Sequence, residues 1–191
     1  TYDMEQLGSS INAFSEDNLF SSLFRRNPAT KLSMVQEFDA HYEHEWFPGF
    51  SNRLNLIHRT VFPVGGNKFI INNGNGKMVE NSLTTSEIQF STRFAYKEKF
   101  IMGEFERISL GTNYPVIDIT YGLGIPDLLN GEYHFHRLQF GVRHWFNVFS
   151  FGWSKYILET GKIWGTLPYP LLKVMPGNET FLFDEYAYNL M

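Results

Sequence analysis

EYHFHRLQFGVRHWFNVFSFGWSKYILETGKIWG, from Glu132 to Gly165, is the stretch whose reading decides the fold. It reads as two long strands joined by a very short turn near Asn147 and Val148. On the first strand Leu138, Phe140, Val142 and Phe146 fall on one face, and Arg137, Gln139, Gly141 and Arg143 on the other. Side chains alternate across a strand with period two, so one face is apolar and its opposite strongly polar. Each strand is expected to run about 14 residues, well beyond the usual five or six. Long strands of this kind suit a barrel wall with lipid outside and water inside.

The same alternation recurs upstream. Met34 to Trp46 sets Phe38, Ala40, Tyr42 and Trp46 against Glu37, Asp39, His41, Glu43 and Glu45. Arg53 to Phe62 sets Leu54, Leu56 and Phe62 against Arg53, Asn55 and Arg59. In Glu87 to Lys97, Ile88, Phe90, Phe94 and Tyr96 oppose Glu87, Gln89, Ser91, Arg93 and Lys97. Gly103 to Gly111 carries Ile108 and Leu110 opposite Arg107 and Ser109. Val116 to Ile125 sets Ile117, Ile119, Tyr121 and Leu123 against Asp118, Thr120, Gly122 and Gly124. With the opening pair, seven segments meet the test for strands. The fold class that follows is all-β: an antiparallel transmembrane β-barrel, present as a partial wall of about seven or eight strands from a larger barrel.

Single-chain bacterial barrels have even strand numbers, so a further strand is expected within residues 1–12 or 181–190, or in protein beyond this chain. The chain opens on Thr1 without a signal-peptide pattern, which reads as a processed product or an excised piece. One short helix is predicted over Ser15–Arg26. Ser15 caps it, Glu16 and Asp17 sit in its first turn, and Arg25, Arg26 and Pro28 end it. The tight turns at Thr112–Tyr114 and Asn147–Val148 are expected on the same side as the long Pro63–Thr84 connection. A crossing hidden near Lys68–Asn72, or a short turn facing outward, would change that. All 191 residues are assigned to one barrel domain.

Composition agrees with a membrane wall. Aromatics reach 17%, with 19 Phe, 10 Tyr and 4 Trp, and outer-membrane barrels place aromatic girdles at both interfaces. No run approaches the roughly 18 apolar residues of a membrane-spanning helix. A net charge of -4 without a basic cluster excludes nucleic acid as a partner. The absence of cysteine excludes disulfides and thiolate metal sites.

The segment GKIWGTLPYPLLKVMPGNETFLFDEYAYNLM, Gly161–Met191, is the most specific in the chain. Its Gly161-Lys162-Ile163, its Leu167 to Leu172 run, its Pro176-Gly177-Asn178-Glu179-Thr180 and its Asp184 to Met191 carry a resemblance. So do Arg107 to Gly111 and Tyr114-Pro115-Val116. Together they resemble the barrel segment of a Bacteroidota outer-membrane protein family. That family joins an N-terminal carboxypeptidase-regulatory-like domain to a C-terminal β-barrel of unknown function. The resemblance implies a location in the outer membrane and a chain that is one part of a longer protein. A weaker likeness is to outer-membrane assembly factors and two-partner secretion pores. Gly161, Gly165 and Pro168 match their Gly-x-x-x-Gly-x-x-Pro spacing, but the arginine-containing loop motif is absent. Physically, Pro168 and Pro170 forbid a central strand, and Tyr169, Leu171 and Leu172 are too apolar for a free loop. Residues 161–191 are therefore expected to fold on or into the barrel, with Gly161, Pro168, Pro170, Gly177, Asn178 and Glu179 as the loop motif.

The candidate lumen-facing residues are Glu37, Asp39, Glu43, Arg59, Arg93, Arg107, Asp118, Arg137 and Arg143, expected to pair across strands. Acids dominate early and arginines later, so an electrically divided lumen is a further expectation. The candidate lipid-facing residues are Phe90, Phe94, Ile117, Ile119, Tyr121, Leu138, Phe140 and Val142. His134 and His136 share a face without an obvious third ligand, so no metal is assigned. The chain holds no nucleophile elbow, His-Glu-x-x-His or Walker motif; no catalytic residue or cofactor is assigned, and no enzyme is expected. The expected partners are outer-membrane lipid, other parts of the same barrel and a larger outer-membrane complex. The reading that results is a barrel component with a structural, transport or assembly role. The alternative is a soluble lipocalin-like barrel binding a hydrophobic ligand, which reverses the face that is dry.

Overall fold

The computed structural model describes residues 2–6, 32–65, 68–72, 77–103 and 107–172. Its strands in chain order are β1 (Tyr2–Gln6), β2 (Leu32–Phe47), β3 (Phe50–Pro63), β4 (Phe69–Asn72), β5 (Lys77–Glu80), β6 (Leu83–Ala95), β7 (Lys99–Met102), β8 (Arg107–Gly111), β9 (Val116–Gly124), β10 (Phe135–Asn147) and β11 (Trp153–Gly165). The fold is all-β and mostly antiparallel. Seven strands form one open sheet in the order β1-β2-β3-β6-β9-β10-β11, while β4–β5 and β7–β8 are separate two-stranded hairpins. Helical structure among the described residues is limited to 3-10 turns at Leu128–Asn130, Phe149–Phe151 and Tyr169–Leu171. No helix there is long and apolar enough to cross a membrane.

The strands form where alternation is cleanest and stop at residues that cannot continue it. Tyr96 and Lys97 turn the chain after β6, with Lys97 in the left-handed region at φ 52°. Pro126 and Asp127 turn it after β9. The β10–β11 connection spans Val148–Gly152 and contains a 3-10 turn, so it is longer than the two-residue turn expected. Val148 N–H bonds the Gly152 carbonyl at 2.7 Å and closes this loop, leaving Phe149 and Phe151 more than 90% exposed.

Two further expectations are corrected and one is met. Gly103–Gly111 is not a wall strand, because β8 pairs with β7 in a hairpin and β6 pairs directly with β9. The connection after Pro63 holds the β4–β5 hairpin, not a crossing near Lys68–Asn72. The additional strand of the sheet is β1, paired with Leu32–Gln36 of β2. The Ser15–Arg26 helix falls outside the described residues.

The chain divides into two compact units, residues 1–37, 59–84 and 167–191 in one and residues 38–58 and 85–166 in the other. The first has a small apolar core of Val35, Val61, Phe69 and Leu83, each at most 5% exposed. In the second the buried apolar side chains among the described residues are Ala95 and Phe135. The second unit thus has almost no hydrophobic core in the ordinary sense, although it is rich in Phe, Tyr, Leu and Ile.

The β2–β3 turn depends on Gly49. Its φ of +88° is the left-handed region, and Ala95 N–H bonds its carbonyl at 2.6 Å. A Cβ at this position would fall 2.1 Å from the Ala95 carbonyl oxygen. Gly49→Ala is expected to cost at least about 1–3 kcal/mol from backbone conformation alone, read as a lowered denaturant midpoint. A midpoint equal to that of the parent chain would mean the turn is not held this way.

Candidate functional site: the two faces of the sheet

The register across β6, β9 and β10 brings the apolar residues into rows. Phe90 stands opposite Tyr121, which stands opposite Leu138. The next rows are Thr92, Ile119 and Phe140, then Phe94, Ile117 and Val142, to which β11 adds Leu158. The eight residues expected to face lipid therefore share one side of the sheet. That side is not covered: Phe90 is 49% exposed, Ile119 40%, Tyr121 41% and Leu158 59%.

Aromatic rings border this aliphatic field at both strand ends. At one end Phe47 stacks on Phe50 at 5.1 Å, Phe50 meets Phe94 at 6.2 Å, and Phe94, Tyr96 and Tyr114 continue the chain of contacts. His144, Phe146 and Tyr156 extend it on β10 and β11 with centroids 5.6–6.3 Å apart. At the other end Tyr121 shares a 2.6 Å hydrogen bond with His136 Nδ1, and His134 contacts His136 edge to face at 5.0 Å.

The opposite side carries the charges, and they are paired. In the second unit Arg53 binds Glu43 at 2.5 Å, Arg143 binds Asp118 at 3.1 Å, and Arg107 binds Glu45. Arg93 forks onto both oxygens of Glu98 at 2.7 and 2.8 Å, and the Ser109 hydroxyl donates to the same carboxylate at 2.5 Å. Arg107, carried by the β7–β8 hairpin and not by a wall strand, also covers the Phe100 ring at 3.8 Å. Asp39 lies 3.7 Å from His41 Nδ1. In the first unit Arg59 lies 3.8 Å from Glu37. The expected division of the face into acidic and basic halves is not found. Glu43 and Glu45 of β2 meet Arg53 and Arg107, so charge cancels pair by pair.

The least exposed pair within the sheet is Glu87–Arg137, at 8% and 18% side-chain exposure. Glu87 is on β6 and Arg137 on β10, so the bond passes over β9 between strands that are not neighbours. It runs across Gly122, the register partner of Arg137. A Cβ on Gly122 would lie 2.1 Å from Glu87 Oε1. Any larger residue there would occupy the position of the carboxylate.

These residues lie on a chain with a clear relationship. The C-terminal domain of a family of unknown function (DUF5686) matches residues 3–190. The chain belongs to this family. No curated protein and no solved structure matches it.

In this DUF5686 domain Gly161 is not a loop residue, because β11 continues through it to Gly165. Pro168 precedes the 3-10 turn and Pro170 lies within it, with Tyr169 57% exposed. Gly177, Asn178 and Glu179 fall outside the described residues, as does most of the segment expected to fold into the barrel. Among the described residues no three His, Asp or Glu side chains gather as a metal-binding group. His41 and His44 sit apart, His41 beside Asp39 and His44 against Trp46. Sequence reasoning missed Glu98 and Gly122 as parts of the charged network. Glu98 lies beyond the end of β6, where alternation carries no information, and Gly122 has no side chain to attract notice.

Two measurements test the network. Breaking a mostly buried ion pair costs on the order of 3 kcal/mol. Gly122→Val is expected to cost about as much as Glu87→Ala, with the two effects strongly non-additive in a double-mutant cycle. Additive effects would place Gly122 outside the pair. The fork from Arg93, ahead of the Ser109 hydroxyl, holds the Glu98 carboxyl below its ordinary value of 4.5. A lowered carboxyl contributes stability that is complete above that value and is lost as pH falls through the lower, folded-state value. The denaturant midpoint should therefore drop on acidification below about pH 4.5, and Glu98→Gln should flatten that limb.

Proposed function

We propose that this domain forms part of the wall of an outer-membrane β-barrel, with a structural, transport or assembly role. The observation that carries the reading is the inversion of the two faces. On the apolar side Phe90, Ile119, Tyr121, Leu138 and Leu158 stand 39–59% exposed and Phe94, Ile117 and Phe140 are half-buried, while the Glu87–Arg137 pair on the opposite side is mostly covered. Exposing apolar surface to water forgoes about 25 cal/mol for every Å² that could have been buried. A face of this extent is stable in contact with acyl chains.

Strand length supports the same reading. Strands of 13 residues, as in β6, β10 and β11, tilted at about 40°, rise roughly 33 Å along the membrane normal. That exceeds the apolar band of about 25 Å and leaves room for aromatic borders at both ends. The resemblance to Bacteroidota outer-membrane proteins with a carboxypeptidase-regulatory-like domain agrees with it. Paired charges on the other side suit a wet interior, where they stiffen the wall and set what passes. A lipocalin-like calyx would need the aromatic side turned inward, and the exposure of Phe90, Ile119 and Leu158 weighs against that.

Arginine scanning tests the proposal. Phe90→Arg and Ile119→Arg are expected to impair insertion into vesicles, costing about 2–4 kcal/mol near the bilayer centre. Gln89→Arg and Thr120→Arg, one residue away on the charged side, are expected to insert normally. Equal losses on both sides, or solubility of the full chain without detergent, would overturn the assignment.

A further inference from the structure

On β6, β9, β10 and β11 the apolar side holds one fixed charge among the described residues, Lys162. The register places Lys162 opposite Leu138, in the row that continues through Tyr121 to Phe90. The carboxylates of this part of the sheet stand on the other side, so no acid of that row can neutralise it. Its ammonium lies over the Trp164 ring, 5.2 Å from the centroid. Trp164 is the register partner of His136, and His136 in turn contacts His134 and the Tyr121 hydroxyl. One ammonium, two imidazoles, a phenol and an indole thus lie at neighbouring positions of a surface dominated by Phe, Ile, Leu and Val side chains.

We propose that this cluster, Lys162 with Tyr121, His134, His136 and Trp164, seats the phosphate of an anionic phospholipid headgroup. The inference rests on the membrane reading above and names the lipid that this part of the wall selects. Position supports it. Lys162 is three residues from the end of β11 at Gly165, about 8 Å along the membrane normal for a strand tilted at about 40°. A lysine stem covers most of that distance toward the headgroup layer while its methylenes stay in the apolar band. Chemistry supports it as well. The ammonium provides charge, Tyr121 and the imidazoles provide hydrogen bonds, and Trp164 has the amphipathic ring favoured at the interface. A lone ammonium on a lipid face is unfavourable unless an anion accompanies it, and a lipid phosphate is the anion present at that depth.

The test uses the full chain in phosphatidylcholine vesicles doped with brominated phosphatidylglycerol or brominated phosphatidylcholine. Trp164 emission is isolated as the difference from Trp164→Phe. One lysine near a membrane surface contributes about a fivefold preference for anionic lipid. Quenching of Trp164 should show about that preference for the brominated phosphatidylglycerol. Lys162→Gln should abolish it and Lys162→Arg should retain it. A chain that inserts but quenches equally with both lipids, or keeps its preference in Lys162→Gln, overturns the headgroup site and leaves the barrel reading intact. Loss of the preference on adding millimolar inorganic phosphate would assign the cluster to free phosphate and overturn the proposal. A chain that inserts into neither vesicle overturns this site and the membrane reading together.

Discussion

The ion pair between Glu87 and Arg137 joins two strands that do not touch, and the organisation of the charged side follows from it. A carboxylate and a guanidinium can meet across β9 only if the residue beneath them leaves the space empty, and Gly122 does so. With the pair in place, the backbone register of three strands is constrained from above as well as through its hydrogen bonds. A slip of one residue by β6 or β10 would carry one of these charges to the aromatic side and leave the other unpaired, at a cost of several kcal/mol. The pairs at Arg93–Glu98, Arg53–Glu43 and Arg143–Asp118 act in the same sense at other heights. In the second unit polar contacts share the specifying that is usually left to a hydrophobic core.

The apolar side is correspondingly undemanding. Its rows of Phe, Ile, Leu and Val stand beside one another along the sheet, and among the described residues several of them are open on the other side. On the membrane reading proposed above, such a surface tolerates exchange among apolar residues and resists charge. The aromatic borders define its height. Within it Lys162 is out of place electrically, which is why its neighbours Trp164 and His136 carry more information than the aliphatic rows around them.

Much of this was legible in the residues. Period-two alternation over 34–46, 87–97 and 116–125, and along the first strand of 132–165, identified both the strands and their faces, because a strand has only two sides. Alternation is silent on which strands pair. Arg107, Ile108, Ser109 and Leu110 alternate as cleanly as any wall strand, yet they form half of a hairpin beside the sheet. Five residues suffice for a hairpin and for a period, so length was the only warning. Likewise, Asn147-Val148 resembles a tight turn, whereas Phe149 at φ 47° and Gly152 at φ 98° let the chain continue through a longer loop. Contacts such as Glu98 with Arg93 depend on how a turn folds back, which no local pattern encodes.

β11 pairs with β10 along all 13 of its residues, and among the described residues it has no strand on its other side. In water an edge of this kind is solvated and tolerable. Within hydrocarbon its unmatched amides and carbonyls would each cost several kcal/mol. For a wall in a bilayer, zipping this margin onto a neighbour and entering the membrane become a single event. On the proposed reading, the strand that closes that seam has to arrive before, or together with, the lipid.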